Sequence, residues 1–369
     1  MRVLLVSPYD LTHPGGVTSH VFDLAHEFQR QGHAIAVAGP AGDGRLPQNG
    51  YTHHLGPTLR FLTPGDAARV NLSPRVHTAV QALLAESSFD VLHLHEPFLG
   101  FIGSSFLRLG RGVKVGTFHT WREGPHLPYI AFWPLVRYWN RRLDGRIAVS
   151  EAARRTISAY VPGDYRIIPN GVDFQRFACP VAPPKHLADD VPTLLFVGRI
   201  EARKGIPYLL HAFKTVKERV PAARLVIVGE GGLRADYTRL ARRLELRDVF
   251  FEGYVPPEDL PRYYQRGDVF CSPSTVNESF GITLLEAMAA GTPAIATSVN
   301  GLNTLGEDGV TGLIVPPKDA EALAAAMERL LEDRPLAGRL AEAAQERAGG
   351  FDWANVARSL LDYYEELGA

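Results

Sequence analysis

The sequence has few cysteines and no long apolar run. Two cysteines among 369 residues, Cys179 and Cys271, cannot form a disulfide framework and are typical of a reducing compartment. The longest uncharged stretch, residues 287–306, is rich in Gly, Pro, Asn, Ser and Thr, which excludes a lipid-spanning helix there. Asp10 interrupts the first apolar run too early for a secretory signal. We therefore expect a cytoplasmic protein that does not span a membrane.

An excess of charge of either sign is also missing. The 39 Lys and Arg residues against 40 Asp and Glu residues give a formal net charge of -1. Proteins that bind the phosphates of nucleic acids are usually basic, so we expect no nucleic-acid partner. A hydrophobic content of 46% is enough for sizeable cores, and the length exceeds a single domain of about 150 residues.

Short apolar runs alternate with longer segments of helical period, which is typical of βαβ units around a parallel sheet. In the first half, strands are expected at residues 2–7, 33–38, 91–95, 113–118, 146–149 and 166–168, with a helix at 17–31. In the second half, strands are expected at residues 194–197, 225–228, 249–251, 269–271 and 294–296, with a helix at 206–220. An amphipathic helix at residues 353–367 is expected to cross back onto the first half.

A proline-rich segment with little periodicity, residues 179–192, separates the two halves and is interpreted as a linker. The predicted organisation is an N-terminal domain of residues 1–178 completed by the helix at 353–369, and a C-terminal domain of residues 193–352. Each is an α/β, Rossmann-like, doubly wound domain. Such pairs bind ligands in a cleft at the carboxyl ends of the strands, so functional residues are sought after strands.

Two glutamates bound the segment ESFGITLLE, which follows an expected strand. On one helix, Glu278 and Glu286 would lie about 12 Å apart on roughly the same face. The backbone amides of Ser279, Phe280 and Gly281 would then form an anion site at the helix N-terminus. This layout suits a nucleotide sugar, which has hydroxyl groups at both ends and a diphosphate between them. A capping acid and a solvated helix acid are the alternative interpretation.

Two basic residues, Arg199 and Lys204, follow the strand at residues 194–197 in the segment VGRIEARKG. They would stand at a carboxyl edge of the sheet, where a leaving diphosphate needs positive charge. A solvated basic loop is the alternative.

Further candidates follow strands of the first half. Gly15 and Gly16 would let the backbone approach a ligand closely, although the dinucleotide fingerprint G-x-G-x-x-G is missing. A tight turn without a ligand explains them equally well. His119, in TFHT, ends the strand at residues 113–118 and suits hydrogen bonding or proton relay, with a structural histidine as the alternative.

A metal site has little support in the sequence. His93, His95 and Glu96 occur together in HLHEP, and the two histidines would share one face of a strand. No further well-placed ligand for a zinc ion can be identified. The sequence contains no D-x-D pair, so a metal-diphosphate clamp has no evident ligands. We therefore expect no metal and no other cofactor.

Together these segments resemble the family 4 (group 1) retaining glycosyltransferases of the GT-B fold, over nearly the whole chain. The most specific part is ESFGITLLE followed by AMAAGTP, and the segments PGGVTSHV, GRIAVSEAARR, IPNGVD and VGRIEARKG occur in the order expected for the family. The strings PYDLTHPGGVTSHV, HLHEP, TFHT and GRIAVS are most similar to the phosphatidylinositol mannosyltransferase branch, which uses GDP-mannose. The resemblance implies a hexosyltransferase that needs no metal.

The resemblance also implies roles for individual residues. Donor-binding residues would be Gly16, Arg199, Lys204, Val255, Glu278, Ser279, Phe280, Gly281, Ile282 and Glu286. Acceptor-binding residues would be Tyr9, Gly15, Gly16, Arg75 and Thr120. Catalytic residues would be His119, Arg199, Lys204 and Glu278, with Glu278 on the sugar hydroxyls and Glu286 on the ribose. In the front-face mechanism proposed for the family, the departing phosphate helps to deprotonate the acceptor, so no carboxylate nucleophile is required.

One segment departs from that branch. The branch carries a strongly basic cluster on a helix that contacts anionic lipid, whereas residues 75–81 contain one arginine, Arg75, and one histidine. Contact with the inner membrane surface is therefore expected to be weaker at this helix. Residues 121–142, with Trp133, Trp139 and Arg137, are another candidate for a lipid interface. A buried helix with a solvated edge is the alternative there.

The leading hypothesis is transfer of mannose from GDP-mannose to a lipid or polyol acceptor such as phosphatidylinositol. A UDP-glucose- or UDP-GlcNAc-dependent enzyme acting on diacylglycerol or a soluble acceptor is the alternative. An α/β dehydrogenase would carry the missing glycine fingerprint. A non-catalytic subunit that binds sugar nucleotides would be expected to lose Glu278, Lys204 or Arg199, and all three are present.

Overall fold

The computed structural model describes residues 1–13, 15–42, 44, 49–63, 66–121, 124–276, 278–299 and 304–369. The chain divides into two compact units. Unit 1 comprises Met1–Gly171 and Trp353–Ala369, and unit 2 comprises Val172–Asp352. Each unit is built on one parallel sheet with helices, so the predicted α/β class is confirmed.

Unit 1 contains nine of the described strands and six helices before the final segment of the chain. The strands are β1 (Arg2–Val6), β2 (Ala34–Gly39), β3 (Thr52–His54), β4 (Leu59–Thr63), β5 (Asp66–Val70), β6 (Val91–His95), β7 (Val113–Phe118), β8 (Gly145–Ala148) and β9 (Arg166–Ile167). The helices are α1 (Gly16–Arg30), α2 (Val76–Glu86), α3 (Ile102–Leu109), α4 (Leu127–Ala131), α5 (Trp133–Asn140) and α6 (Glu151–Ser158). The sheet order is β3-β2-β1-β6-β7-β8-β9, and β4 pairs with β5 in a separate antiparallel ribbon.

The sheet of unit 1 is buried on both faces, which explains why its central strands are continuous apolar runs. Alternate residues of β1 point to opposite faces. Val3 and Leu5 belong to one core cluster with Phe28 of α1, while Leu4 and Val6 belong to another with Phe106 of α3.

Unit 2 repeats this architecture with six described strands. The strands are β10 (Thr193–Val197), β11 (Arg224–Val228), β12 (Val249–Gly253), β13 (Val269–Ser272), β14 (Ala294–Thr297) and β15 (Leu313–Val315). The helices are α7 (Phe174–Ala178), α8 (Ile206–Arg219), α9 (Arg234–Arg243), α10 (Leu260–Arg266), α11 (Ile282–Ala289), α12 (Ala320–Glu332) and α13 (Arg334–Gly349). The strands are parallel in the order β12-β11-β10-β13-β14-β15, so the loops that follow β10 and β13 are neighbours at one sheet edge.

The boundary between the units differs from the predicted one. The chain divides at Gly171 and Val172, and the segment 179–192, predicted as a linker, belongs to unit 2. Its Leu187 is 2% exposed in the same core cluster as Leu195, and its backbone carbonyl accepts hydrogen bonds from the side chains of Arg224 and Arg266. Proline-rich composition predicted a linker between the domains, but arginine donors from elsewhere in unit 2 fix this segment.

The last helix, α14 (Trp353–Glu366), belongs to unit 1, as the predicted fold class requires. Its apolar face repeats every three or four residues, and Val356, Leu360 and Tyr364 are buried against the core cluster that contains β1. Trp353 packs so closely on Gly171 that a Cβ atom at position 171 would lie 2.4 Å from the indole ring.

The described part of the chain contains no helix long and apolar enough to cross a lipid bilayer.

Replacing Trp353 by Ala is expected to lower the free energy of unfolding by about 3–5 kcal/mol, because it leaves a cavity between α14 and the rest of unit 1. Urea denaturation followed by circular dichroism measures this change. The matched control is Ser359→Ala on the exposed face of α14, which should shift the free energy by less than about 0.5 kcal/mol. Equal denaturation midpoints for Trp353→Ala and the unchanged protein would contradict the packing described here.

Candidate functional site

The loops that follow β10 and β13 in unit 2 are fixed to one another. Lys204 closes a short 3-10 turn (Ala202–Lys204), and Gly205 follows with φ 71°. A Cβ atom on Gly205 would lie 1.9 Å from the carbonyl oxygen of Pro273, so this close approach requires glycine. The backbone N–H of Thr275 also donates to the carbonyl of Arg203 at 2.8 Å. The two loops therefore present their side chains to each other at a fixed distance.

A buried ion pair joins these loops. The Lys204 Nζ atom lies 2.7 Å from Oε2 of Glu278, and the two side chains are 11% and 13% exposed. Arg203 Nη1 lies 3.4 Å from the same oxygen, and the Ser274 hydroxyl donates to it at 3.1 Å. Two cations and one hydroxyl thus converge on a single carboxylate oxygen.

The carboxyl group of Glu278 is held in its ionised form. Burial by itself raises its pKa, but Lys204, Arg203 and the Ser274 hydrogen bond outweigh burial, so the pKa lies below its ordinary value. At neutral pH, Glu278 therefore accepts hydrogen bonds and cannot act as a general acid.

A second acid organises the arginines beside this pair. Glu201 lies 3.0 Å from the Nε atoms of both Arg199 and Arg203 through its two oxygens. Arg199 is half exposed. With Lys204, these arginines place three cationic side chains at this edge of unit 2, where they could bind the oxygens of an anion such as a diphosphate.

The structure corrects the predicted placement of Glu278. Helix α11 begins at Ile282, so Glu278 lies in the preceding loop and does not share a helix face with Glu286. Gly281, with φ 91°, is the N-cap of α11 and turns the chain sharply between the two glutamates. Glu286 instead accepts a hydrogen bond of 2.6 Å from the Tyr264 hydroxyl. Burial, followed by the charge of Glu286, raises the pKa of Tyr264 well above its usual value, so the phenol remains the donor.

The other predicted donor-binding residues differ in what their side chains can offer. Phe280 is 2% exposed and packs edge-on against Phe351, so only its backbone is available to a ligand. Ser279 is partly buried, and Val255 and Ile282 are partly buried against the unit 2 core. The amides of Ser279, Phe280 and Gly281 immediately precede α11, which keeps them close to its N-terminus.

A second group of candidate residues lies in unit 1, where four histidines form a histidine cluster (His20, His93, His95 and His119). His93 and His95 come from β6, His119 follows β7, and His20 lies in the first turns of α1. The rings of His93 and His95 stack at 4.5 Å, and those of His95 and His119 stack at 5.2 Å. Adjacent parallel strands thus bring the HLHEP and TFHT segments together.

Tyr364 of α14 fixes one end of the histidine cluster. Its hydroxyl lies 2.6 Å from Nδ1 of His93, whose Nε2 lies 2.6 Å from the Thr117 hydroxyl. Burial raises the pKa of Tyr364 well above its usual value, so the phenol keeps its proton. Burial lowers the pKa of His93 to about 3, so the ring is neutral and one of its two nitrogens donates while the other accepts.

The other three histidines are also neutral. Burial is the first cause that lowers the pKa of His95 and His119 well below the usual range, and neighbouring histidines add to it. Their Nδ1 and Nε2 atoms, respectively, lie 2.9 Å apart, so one ring donates to the other. Burial lowers the pKa of His20 to about 4, although Asn170 acts in the opposite direction. The predicted residue His119 is therefore a neutral hydrogen-bonding group.

Glu96 shapes the loop that carries His119. One of its carboxylate oxygens accepts hydrogen bonds from the backbone N–H groups of His119 and Thr120, at 2.8 and 2.9 Å, and from the Thr120 hydroxyl at 2.8 Å. Burial raises the pKa of Glu96 against the effect of these hydrogen bonds. The left-handed φ of 44° at Glu96 directs its side chain into this role. Thr120, a predicted acceptor residue, is thus held through Glu96.

The remaining predicted acceptor residues occupy different positions. Gly15 is the N-cap of α1, which begins at Gly16, so both glycines stand at the helix N-terminus, after the loop that follows β1. Tyr9 follows β1 and forms an isolated bridge with Val70. Arg75 is exposed at the N-cap of α2, and its backbone N–H donates to Ser73.

The histidine trio that could hold a metal differs from the set considered in the sequence. His20, His95 and His119 each place a ring nitrogen within 4.8 Å of the others. Both nitrogens of His93 form hydrogen bonds, with Tyr364 and Thr117, and the carboxylate of Glu96 accepts hydrogen bonds from the loop that carries His119. His20 was missed because it lies about 75 residues from β6 in the chain. Its position four residues after Gly16 puts both residues on one face of α1, which could have indicated that His20 lies near the same site.

The comparisons with known proteins identify the family of the chain. The sequence profile of Glycosyltransferase Family 4 matches residues 14–176, and that of Glycosyl transferases group 1 matches residues 182–347. A phosphatidyl-myo-inositol mannosyltransferase from Mycolicibacterium smegmatis is 37% identical over 376 residues, which covers 100% of this chain and 94% of that relative. The chain belongs to the group 1, family 4 glycosyltransferases. The predicted family is thus confirmed.

Other relatives of this glycosyltransferase lie further away. A phosphatidyl-myo-inositol mannosyltransferase from Propionibacterium freudenreichii is 30% identical and is matched over 100% of this chain and 96% of its own length. Sucrose-phosphate synthase from Thermosynechococcus elongatus has a TM-score of 0.79 at 24% identity, covering 99% of this chain and 98% of that one. HepE from Anabaena, solved with UDP, has a TM-score of 0.80 at 21% identity, and the match covers 99% of this chain and 100% of HepE. These structures support the GT-B fold.

Glu278→Gln is expected to lower the free energy of unfolding by about 3–5 kcal/mol at pH 7, because Lys204 loses its partner in a buried site. The pKa of Glu278 is lower in the folded chain than in the unfolded chain. Ionised Glu278 therefore contributes fully to the free energy of unfolding at pH values above its unfolded pKa. That contribution is lost as the pH falls through the lower, folded value. The difference between the unchanged protein and the variant should therefore shrink below about pH 4.5.

Denaturant titrations at several pH values measure this difference. Glu342→Gln, an exposed glutamate on α13, removes the same charge without an ion pair and serves as the control. A Glu278→Gln variant as stable as this control at pH 7 would show that the ion pair is not a stabilising contact.

Proposed function

We propose that this glycosyltransferase transfers mannose from GDP-mannose to phosphatidylinositol, or to a closely similar inositol lipid, with retention of the anomeric configuration. The observation that carries the proposal is the buried, ionised carboxylate of Glu278 beside Lys204 and Arg203. It occurs in a chain 37% identical over its whole length to a phosphatidyl-myo-inositol mannosyltransferase. A carboxylate beside cations is complementary to a nucleotide sugar, which presents hydroxyl groups next to a diphosphate.

Glu278 supplies the acceptor for the hydroxyl groups of the transferred sugar. The hydrogen bonds that described residues give this carboxylate, from Lys204, Arg203 and Ser274, all reach Oε2. Oε1 is therefore the atom that we assign to the sugar. Lys204 and Arg203 orient the carboxylate, and this orientation is kept because Gly205 fixes the two loops together.

The cations of the same cluster stabilise the leaving diphosphate. Negative charge grows on the phosphate oxygen as its bond to the sugar breaks, and positive groups placed in advance lower the barrier. We assign this role to Arg199 and Lys204, with the amides of Ser279, Phe280 and Gly281 as further donors. Glu286, oriented by Tyr264, is assigned to the ribose hydroxyls of the nucleotide.

The transfer step that we propose needs no nucleophile from the protein. The bond between the sugar C1 atom and the diphosphate oxygen breaks, and a bond from C1 to the acceptor hydroxyl oxygen forms on the same face. The acceptor proton passes to the departing phosphate. His119 is neutral, so it hydrogen-bonds to the sugar and contributes no positive charge. Tyr9, Gly15, Gly16, Arg75 and Thr120 are assigned to the acceptor.

We also propose that the reaction needs no metal and takes place at the cytoplasmic face of a membrane. Metal independence follows from the sequence, which offers no D-x-D pair to clamp a metal-diphosphate. The membrane location follows from the proposed acceptor, which is a bilayer lipid.

Incubation of the purified protein with GDP-mannose and vesicles that contain phosphatidylinositol is expected to yield a lipid heavier by one hexose residue and free GDP. Mass spectrometry of the lipid extract and nucleotide chromatography measure both products. UDP-glucose and UDP-GlcNAc, tested in parallel, should give no product, and prior treatment with EDTA should leave the rate unchanged. Glu278→Gln should lower the rate by about 10²–10³, as expected for the loss of a key polar contact to the reacting group.

Two outcomes would reject parts of the proposal. Turnover of a UDP-sugar in preference to GDP-mannose would contradict the assignment of GDP-mannose as the donor. GDP release with an acceptor other than an inositol lipid would replace the acceptor and leave the donor assignment intact.

A further inference from the structure

A short helical hairpin in unit 1 exposes an unusual number of large apolar side chains. We call this segment, which is kinked at Phe132, the docking hairpin; it comprises α4, Phe132, α5, Arg141 and Arg142. Its outward side chains are between 44% and 65% exposed, and they comprise Leu127, Ile130, Phe132, Trp133, Leu135 and Tyr138. A contiguous exposed apolar patch on a folded domain usually marks an interaction site.

The hairpin is anchored to unit 1 by a different set of side chains. Val136 is 6% exposed in the core cluster that contains Leu4, and Tyr129 and Trp139 are partly buried against the same cluster. The ring of Tyr129 stacks on that of Tyr160 at 5.7 Å. Folding of unit 1 therefore explains the inward face of the hairpin and leaves its outward apolar face without a structural purpose.

The charge of the hairpin has one sign. Residues 124–143 contain Arg137, Arg141 and Arg142 and no Asp or Glu. All three arginines are exposed, and none forms an ion pair with a residue that the structure describes. The positive charge is therefore available to an anionic partner.

The arginines lie among the aromatic rings. The Arg137 guanidinium lies 5.3 Å from the centroid of the Trp133 ring. The Arg142 guanidinium lies 4.9 Å from the Tyr138 ring and donates to its hydroxyl at 2.7 Å. Apolar and aromatic groups interleaved with arginine match the boundary of a bilayer, where rings lie at the headgroup level and guanidinium groups contact lipid phosphates.

These features distinguish a lipid surface from a second copy of the chain. In a symmetric dimer through this face, the same patch would meet itself, and arginine would face arginine with no acidic partner in the hairpin. The other predicted lipid contact, α2, contains no Lys or Arg, and Arg75 at its N-cap is the basic residue there. The alternative prediction for residues 121–142, a buried helix with a solvated edge, does not account for the six exposed apolar side chains. Arg122 and Glu123 lie outside the described residues.

We propose that the docking hairpin is the surface by which the protein binds an anionic lipid bilayer. The proposal rests on the proposed function in one respect, because an acceptor in the bilayer requires the enzyme to reach it. Phe132 and Leu135 enter the boundary between headgroups and acyl chains, while Arg137, Arg141 and Arg142 contact anionic headgroups. Binding uses both contributions, so it is stronger on anionic than on neutral vesicles and weakens as salt rises.

Vesicle flotation with the full chain tests the docking hairpin. Three vesicle compositions are compared: phosphatidylcholine alone, phosphatidylcholine with phosphatidylglycerol, and phosphatidylcholine with phosphatidylinositol. The unchanged protein should bind both anionic compositions and bind the neutral one weakly. Arg141→Glu with Arg142→Glu should lower the partition coefficient by about 25-fold or more, since each basic residue contributes about fivefold. Phe132→Ser with Leu135→Ser should also release the protein from anionic vesicles.

Matched controls lie in unit 2. Arg242→Glu with Arg243→Glu makes the same charge change at exposed positions of α9, and Phe250→Ser removes a 43% exposed phenylalanine from β12. Both controls should bind anionic vesicles like the unchanged protein. Hairpin variants that float with vesicles as the unchanged protein does would overturn the proposal. A change from dimer to monomer in the hairpin variants, measured by analytical ultracentrifugation without lipid, would assign the surface to a second copy instead.

The readouts separate this inference from the proposed function. Phosphatidylglycerol vesicles report docking without any inositol acceptor, so docking can succeed while inositol-lipid transfer fails. A water-soluble, short-chain phosphatidylinositol reports transfer without a bilayer, and the hairpin variants should retain their activity on it. Loss of that activity would show that the hairpin serves the reaction site itself, which would contradict a pure docking role.

Discussion

One buried ion pair, between Glu278 and Lys204, determines what the proposed donor site of unit 2 can do. A carboxylate with 13% of its side chain exposed is unfavourable unless cations and hydrogen bonds compensate for its lost hydration. Lys204, Arg203 and Ser274 supply that compensation on one oxygen, and Gly205 lets the two loops approach closely enough for it. The product is an ionised acceptor beside cationic side chains. This combination matches a sugar next to a diphosphate and cannot serve acid catalysis.

The same topological rule builds the site of unit 1. Strands β1, β6 and β7 are neighbours in a parallel sheet, so the residues that follow them meet at one edge. The histidine rings at this edge are neutral, because burial lowers the pKa of all four members of the histidine cluster. The last helix completes this arrangement through Tyr364, whose hydroxyl hydrogen-bonds with Nδ1 of His93. The C-terminal segment is therefore part of the functional architecture as well as the core.

The sequence predicts the strands well where they are apolar runs, and β6 and β7 begin and end at the predicted residues. Short or polar strands such as β3, with the sequence THH, carry no such signal and were missed. The placement of Glu278 was wrong because ESFGITLLE is compatible with a helix throughout, while the turn at Gly281 depends on its surroundings. Partners such as Lys204 and Glu278, or His93 and Tyr364, are 74 and 271 positions apart, so spacing along the chain cannot reveal them.

The most direct test of the central claim is a double-mutant cycle on kcat/KM for the sugar nucleotide, with Glu278→Gln, Lys204→Met and the two combined. If the ion pair is one functional unit, each single variant loses about 10²–10³ in kcat/KM. The combined variant should then be little worse than the poorer single variant, because the second substitution removes a partner whose function is already lost. Losses that multiply in the combined variant, or full activity in Lys204→Met, would contradict the claim.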